Sequence, residues 1–326
     1  MSQCVDCFCS AIPDPRGGPS TCAASELYRD QVRAALDEEE MEFMLMDSSL
    51  ETVISGQQLS LNTTHREVSY DGFQQLGDHI FYWKLPSEFL GNKARTQTSV
   101  FCISHCLSIS VIFLWRIFRV HTQVCPQSRR GGAVRRGGAG GALCMFRIQE
   151  CSIRDCYVQG NDIVFVHFSE PVEAGPSGHK YRVLMHESAW ERLDRPGSPA
   201  SREYMMMALA GLDHILVKAA HSGLTSTAGI SDVSLDTGSE RDPRSGRGRA
   251  SAVEQCQCPP GYKGLSCEAC APGYRRSGQG LYLGYCEPCD CNGKSSSCDS
   301  ETGKCLVKCL IKTIFHSFQF FFLQKY

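Results

Sequence analysis

A dense cluster of cysteines near the C-terminal end constrains this chain more than any other feature. Nine cysteines lie from Cys256 to Cys305, a stretch of fifty residues that is rich in glycine, proline, serine and asparagine. The stretch has so few apolar residues that hydrophobic burial cannot offset the entropy lost on ordering its backbone. Covalent links must therefore hold it, through either disulfide bonds or a structural metal.

Disulfide bonds are the preferred interpretation, and zinc is the alternative. Zinc modules use paired ligands around a defined core, often with histidine among them. No histidine lies between residues 256 and 305, and the cysteine pairs follow one another without a helical core. Small cysteine-dense modules of this kind are typical of oxidising compartments. We therefore expect an extracellular protein that has neither a bound metal nor a cofactor.

The cysteine spacing resembles that of laminin-type EGF-like modules, which have eight cysteines each. The second part of one module is matched by Cys256, Cys258, Gly261-Tyr262, Cys267, Cys270, Gly273-Tyr274 and Cys286. The first part of the next module is matched by Cys289, Cys291, Cys298, Thr302-Gly303 and Cys305. The missing first part of the earlier module lies at the other end of the chain, in Cys7, Cys9 and Cys22, after Cys4 as the last cysteine of a preceding module. One module is therefore split by a long insertion, where this family carries a laminin IV domain.

The family pairing, carried over to these positions, implies six disulfide bonds. They join Cys7 to Cys22, Cys9 to Cys256, Cys258 to Cys267, Cys270 to Cys286, Cys289 to Cys298, and Cys291 to Cys305. The Cys9–Cys256 bond would clamp the two ends of the inserted domain together, and loop-entropy arithmetic gives it up to about 5 kcal/mol. Cys309 falls one residue late for the next cysteine of the pattern, and we expect it to be free or to pair wrongly.

Three runs within the insertion resemble laminin IV domains. They are Leu27–Val32, the run WKLPSEFLGNK from Trp83 to Lys93, and the run REYMMMALAGLD from Arg202 to Asp213. The Met-Ala-Leu-Ala-Gly run that ends at Gly211 and the GLYLG run at 280–284 favour the proteoglycan members of the family over the laminin chains. The resemblance implies a mainly β protein, in which a jelly-roll-like laminin IV β-sandwich is inserted into a split, disulfide-rich laminin EGF-like module.

These assignments divide the chain into five segments. They are the first part of the split module at 1–22, the laminin IV domain at 23–254, the second part of the split module at 255–288, a partial module at 289–309, and an atypical tail at 310–326. Apolar patterning predicts strands at 79–85, 160–168, 181–185, 214–219 and 229–235. It also predicts a helix over 202–210, with Ser201 as its N-cap and Gly211 as a left-handed stop. Trp83 is expected to be a core residue.

The block 94–157 departs from the family pattern. It holds an apolar run from Val100 to Phe118, a Gly/Arg-rich run from Arg129, and cysteines without family spacing at Cys102, Cys106, Cys125, Cys144, Cys151 and Cys156. Three interpretations compete: a marginal transmembrane helix, a basic segment that binds nucleic acid, and sequence that is not native coding sequence, such as a retained intron. The third is favoured, and it predicts irregular or isolated helical structure with mostly unpaired cysteines. The tail at 310–326 is interpreted as a second read-through.

Composition and motifs indicate a protein without catalytic activity. The net charge of −2 over 326 residues gives no reason to expect binding to nucleic acid or a membrane. No nucleophile elbow, phosphate loop or paired-carboxylate motif is present, and His167, His179 and His186 have no spacing suited to a metal or to catalysis. The resemblance implies a structural or adhesion segment of an extracellular basement-membrane protein that binds other matrix proteins. The alternatives are a glycan-binding, lectin-like sandwich and a membrane-anchored EGF-like protein.

Two further features bear on partners and location. Residues 237–252 carry Arg241, Arg244, Arg247 and Arg249 among glycines and serines, which predicts a mobile connection and a weak candidate contact for sulfated glycans. Asn62 begins the sequon Asn-Thr-Thr and is a candidate N-glycosylation site in a secreted chain. The first residues have none of the features of a signal peptide, so we expect the sequence to be a fragment of a longer secreted protein.

Overall fold

The computed structural model describes residues 7–12, 21–36, 41–47, 50, 53–77, 79–97, 99–109, 156–168, 179–220, 225–278, 284–293 and 295–306. The side chains of residues 105–109 and 179 are not among the described parts. Several residues discussed above also lie outside them, namely Cys4, Cys125, Cys144, Cys151, Cys309, the run 280–283 and the tail 310–326.

The described residues form β-strands, short 3-10 turns and one α-helix, which confirms the prediction of a mainly β fold. The helix is α1 (Arg202–Leu209). In chain order the strands are β1 (Cys22–Ala24), β2 (Tyr28–Arg33), β3 (Met44–Asp47), β4 (Val53–Ser55), β5 (Ser60–Asn62), β6 (Glu67–Tyr70), β7 (Phe81–Lys84), β8 (Val100–Ile109), β9 (Cys156–Gly160), β10 (Ile163–His167), β11 (His179–Leu184), β12 (Glu191–Arg192), β13 (Leu212–Ala220), β14 (Thr225–Ser239), β15 (Glu254–Cys256), β16 (Tyr262–Lys263), β17 (Ala269–Cys270), β18 (Tyr274–Ser277) and β19 (Tyr285–Pro288).

Two antiparallel sheets form a β-sandwich. One sheet has the strand order β12-β10-β9-β13-β7-β3-β4, and the other has the order β11-β8-β14-β6-β5 with β2 added beside β14. Strand β14 is 15 residues long, so it pairs with β8 along one edge and with β6 and then β2 along the other. This long strand therefore joins the N-terminal strand β2 to the middle of its sheet.

One hydrophobic core lies between the two sheets. Phe101 and Ile103 of β8 contribute to it from one sheet, and Trp83 of β7, Phe165 of β10 and Ile215 of β13 contribute from the other. Each of these side chains is at most 2% exposed, and burying one such side chain contributes about 1.5–3 kcal/mol. Trp83 is thus a core residue, as the sequence predicts.

Helix α1 packs on this core through its three consecutive methionines. Ser201 caps the first turn, since its Oγ accepts a hydrogen bond from the Tyr204 N–H at 3.5 Å. The predicted stop at Gly211 is wrong, because Gly211 does not have the positive φ of a left-handed residue. Instead, the side-chain amide of Asn161 donates to the carbonyl of Met207 at 2.7 Å, which satisfies a carbonyl that the helix end leaves open.

Strand β8 corrects the interpretation of the block 94–157. Val100–Ile109 pairs with β11 on one side and β14 on the other, and strand β9 begins at Cys156. The prediction of irregular or helical structure is therefore wrong over these residues, while a read-through origin stays a prediction. The run beginning at Val100 does not start a transmembrane helix, and no helix within the described ranges is long and apolar enough to cross a membrane.

Among the described residues, the cysteine-rich parts contain six disulfide bonds with Cα–Cα distances of 5.3–5.9 Å. They join Cys7 to Cys22, Cys9 to Cys256, Cys258 to Cys267, Cys270 to Cys286, Cys289 to Cys298, and Cys291 to Cys305, the same pairs that the family pairing implies. Small two-stranded sheets accompany them: β1 pairs with β15, β16 with β17, and β18 with β19.

Candidate functional site

The two chain ends of the sandwich meet at the buried carboxylate of Glu254. Glu254 is 1% exposed, and its oxygens accept hydrogen bonds from the backbone N–H of Phe8 at 2.8 Å and of Cys9 at 3.2 Å. The guanidinium of Arg202, at the start of α1, lies 3.2 Å from the same carboxylate. One side chain of β15 thus links the N-terminal segment, the helix and the C-terminal end of the sandwich.

The sulfur atoms of Cys9 and Cys256 lie close to this carboxylate. Donor atoms of Cys9, Glu254 and Cys256 all lie within 4.8 Å of one another, a spacing that would suit a metal ion. Cysteine binds metals as the thiolate, however, and both sulfurs are already joined in a disulfide bond. The cluster is therefore a covalent and hydrogen-bonded junction between chain segments.

Side chains of the split module also pack against the sandwich. Phe8 is 4% exposed and belongs to the main hydrophobic core. Ser10 donates to the carbonyl of Ser266 at 2.8 Å, and the amide of Asn92 donates to the carboxylate of Glu268 at 2.8 Å. These contacts fix the orientation of the module relative to the sandwich, in addition to the disulfide.

A groove of about 250 Å³ lies on the outer face of the six-stranded sheet. Phe101 and Ile103 of β8 point into the core, so the alternate residues Cys102 and Ser104 point outward and form part of the groove floor. The strand register places Arg182 of β11, Cys102 of β8, Ser234 of β14 and Arg33 of β2 side by side across four strands. We call this feature the basic groove, because arginines stand at both of its sides.

Four cationic side chains and one carboxylate line the basic groove. The cations are Arg33, Arg66, Lys180 and Arg182, and the carboxylate is Asp232, which gives a formal charge of +4 − 1 = +3. Lys180 lies 3.4 Å from Asp232, while Arg33 donates to the neutral amide oxygen of Gln31 at 2.8 Å. Within the described ranges, no carboxylate lies within 4.0 Å of the guanidinium groups of the three arginines. Among the described residues, the three arginines of the groove therefore have no ion-pair partner.

The arginine-rich connection before β15 is tied to strand β2. The N–H of Arg29 donates to the carbonyl of Gly248 at 2.9 Å, and the Arg249 guanidinium stacks 3.9 Å from the centre of the Tyr28 ring. Arg247 contacts Asp236 at 3.4 Å. A mobile connection is thus the wrong description of this stretch, and two of its four arginines have partners within the sandwich.

The family comparisons agree with this architecture. Residues 147–254 match the family Laminin B (Domain IV), and residues 248–282 match the Laminin EGF domain. The chain is 35% identical over 93% of its length to the mouse basement membrane-specific heparan sulfate proteoglycan core protein and 31% identical over 93% to the basement membrane proteoglycan of Caenorhabditis elegans. The two family matches place a laminin IV domain and a laminin EGF-like domain within residues 147–282. The chain spans only 7% and 8% of the lengths of the two proteoglycan relatives.

A solved domain also resembles the laminin IV domain of this chain. The L4b domain of human laminin alpha-2 is 17% identical, with a TM-score of 0.47 over 66% of this chain and 99% of that domain. The match to Laminin B (Domain IV) begins at residue 147, and it therefore includes the end of the block that sequence reasoning set apart as atypical.

The other residues singled out from the sequence are dispersed over the laminin IV domain. Asn62 is exposed at the end of β5, where its Oδ1 accepts from the His65 N–H at 3.1 Å. His167 contacts the carbonyl of Ala189 at 2.6 Å, and His186 contacts the hydroxyl of Ser188 at 2.9 Å. The side chain of His179 is outside the described parts. The partner of His186 is 2 positions away in the sequence, whereas that of His167 is 22 positions away.

Sequence reasoning missed both the Glu254 junction and the basic groove. The implied Cys9–Cys256 bond was the available signal for the first, because Glu254 precedes Cys256 by two residues. Lys180 and Arg182 alternate with Tyr181 and Val183 in β11, which was the available signal for a charged sheet face. Neither signal identifies the other strands that complete these sites.

Proposed function

We propose that this chain is a non-catalytic structural segment of an extracellular basement-membrane protein. The observation that supports it best is the junction at Cys9, Cys256 and Glu254, which brings both ends of a sandwich to one point of an EGF-like module. A chain built in this way continues from module to module, and the laminin IV domain is held at its side. We propose the segment boundaries 1–22, 23–254, 255–288 and 289–309 for this arrangement, with other matrix proteins as partners.

A mechanical consequence follows from the disulfide between positions 9 and 256. Tension applied along the modules passes through this covalent bond, and the 247 positions of sequence between the two cysteines are bypassed. The sandwich would therefore keep its fold, and its surfaces would stay available to partners, while the modules are under load. Such shielding suits a matrix scaffold.

Force spectroscopy on the full chain, held at its two ends, tests this proposal. The oxidised protein should extend without unfolding of the sandwich. In Cys9→Ser/Cys256→Ser the Cys7–Cys22 bond stays closed, so the chain from position 22 to position 256 should give an additional extension of up to about 820 Å at about 3.5 Å per residue. The matched control, Cys258→Ser/Cys267→Ser, opens only a short loop. If the oxidised wild-type chain also showed the extension produced by unfolding of the whole sandwich, the proposal would be contradicted.

Glycan binding is a second candidate function, and the basic groove favours it. The groove has a formal charge of +3 on a protein whose net charge is −2. An excess of positive charge on an otherwise acidic chain raises the local concentration of anionic ligands. Sulfated glycans are the extracellular polyanions that we propose as partners of this kind.

A further inference from the structure

We propose that the basic groove of the laminin IV domain binds one sulfated glycosaminoglycan chain across strands β11, β8, β14 and β2, with Arg182 and Arg33 as its two anchoring residues. This inference rests on the extracellular location proposed above, and it names the site and the ligand class of the second candidate function. In this proposal the basic groove, and not the arginine-rich connection at 237–252, is the main contact for sulfated glycans.

The positions of the arginines determine the kind of anion that fits. Arg182 and Arg33 occupy the same row of the sheet, separated by Cys102 and Ser234. Three inter-strand spacings of about 4.8 Å separate their Cα atoms by about 14 Å. A linear chain with repeated sulfate groups can offer a separate anionic group to each of these two arginines.

The groove between the two arginines is suited to the sugar backbone of such a chain. Its floor carries the hydroxyl groups of Ser104 and Ser234 and the thiol of Cys102. These groups are small, uncharged and able to exchange hydrogen bonds with sugar hydroxyls. Arg66 adds further positive charge at the groove, whereas Lys180 is paired with Asp232. Guanidinium groups bind anionic oxygens with two parallel hydrogen bonds.

The disulfide bonds select among the possible polyanions. Six disulfides persist only in an oxidising compartment, and nucleic acids are concentrated in reducing ones. An acidic protein surface would have to enter a groove of about 250 Å³ and match two arginines whose Cα atoms are about 14 Å apart. A flexible sulfated glycan meets both conditions without a folded surface of its own.

The direct test measures binding of a heparin decasaccharide to the secreted full chain by calorimetry. Arg33→Gln/Arg182→Gln should weaken binding by at least about tenfold, because each arginine contributes charge-assisted hydrogen bonds. Arg241→Gln/Arg244→Gln, on the connection before β15, is the matched control and should leave the affinity within about twofold of wild type. Affinity should also fall steeply as salt rises from about 50 to about 200 mM.

A second measurement locates the glycan. Alkylation of Cys102, followed by peptide mass analysis, should slow at least several-fold when the decasaccharide is bound, and Arg33→Gln/Arg182→Gln should remove this protection. Loss of binding in Arg241→Gln/Arg244→Gln with the groove variant unaffected would overturn the proposal. Equal binding of desulfated heparin, or tighter binding of polyglutamate or oligo-dT, would overturn it as well.

The outcome is separable from that of the scaffold proposal. The groove variants leave the Cys9–Cys256 bond in place, so the force-extension curve should match that of wild type even if glycan binding is lost. Conversely, Cys9→Ser/Cys256→Ser changes none of the groove residues. A chain with a normal force response and no affinity for the decasaccharide would refute the glycan site alone.

Discussion

Cys9 and Cys256 are 247 positions apart in the sequence, yet their Cα atoms lie 5.6 Å apart and their sulfurs are bonded. The Glu254 carboxylate reinforces this contact, because it accepts the N–H of Cys9 itself and that of the preceding Phe8. The chain therefore leaves the EGF-like module, folds the laminin IV domain and returns to the same point. The covalent and the hydrogen-bonded links are adjacent but separable by mutation.

Removing the long-range disulfide should destabilise the protein more than removing a short one. Loop entropy gives about 5 kcal/mol for the Cys9–Cys256 bond and about 3 kcal/mol for a loop of nine to ten residues such as that of Cys258–Cys267. We expect Cys9→Ser/Cys256→Ser to lower the free energy of unfolding accordingly. Urea unfolding followed by tryptophan fluorescence, to which the buried Trp83 and Trp190 contribute, measures the loss. An equal loss in both double variants would show that loop closure does not determine the stability.

Glu254 should contribute strongly to stability even with every disulfide intact. In Glu254→Gln the new NH2 group must face a backbone N–H or the Arg202 guanidinium, which leaves buried donors unpaired. Breaking a buried ion pair in this way costs about 3–5 kcal/mol. The matched control is Glu240→Gln, because the Arg95–Glu240 pair at 2.8 Å is exposed and should contribute less than about 1 kcal/mol. Urea unfolding of both variants measures the difference, and similar losses would contradict this account.

The sequence was most informative where the fold depends on local spacing. The resemblance to laminin-type EGF-like modules implied the six disulfide pairs, and Ser201 predicted the start of α1 because capping depends on nearby residues. The aromatic run before Pro86 predicted β7, since β-strands favour aromatic residues on buried faces. Apart from the Cys9–Cys256 pair, which joins positions 247 apart, these features involve residues that are close together in the sequence.

The sequence was least informative where pairing between distant strands decides the structure. Val100–Ile109 does alternate, with Phe101 and Ile103 buried and Cys102 half-buried, but the apolar residues that follow extend the run and hide the period of two. The basic groove requires the registers of β11, β8, β14 and β2 together. Such non-local register is set by the core and not by any single segment.

Asn62 should carry an N-linked glycan when the chain is secreted from mammalian cells. Its side chain is exposed, and the hydrogen bond from the His65 N–H uses Oδ1, so the amide nitrogen remains available for the sugar. Both Asn62→Gln and Thr64→Ala should remove the mobility shift produced by a peptide glycosidase on a gel. Thr63→Ala leaves the sequon intact and is the control. A shift that persists in the Asn62 variant would assign the glycan to another position.

His214 should make the protein less stable in mild acid. Burial lowers the pKa of His214, the nearby Lys84 lowers it further, and Asp213 opposes the shift. Its Nδ1 is buried and lacks a hydrogen-bond partner among the described residues. A folded-state pKa below the ordinary value of about 6.5 means that the unfolded chain takes up the proton more readily. Stability therefore falls as the pH drops through about 6.5, and the loss ends below the folded-state pKa.

The comparison of two glutamine variants isolates this effect. His214→Gln cannot take up the proton, so its free energy of unfolding should decline less than that of wild type between about pH 7 and about pH 5. His79→Gln, at an exposed position before β7, is the matched control for replacing a histidine with glutamine. Urea unfolding at a series of pH values gives the slopes. Parallel slopes for His214→Gln and wild type would mean that the imidazole is equally easy to protonate in the folded and unfolded chains.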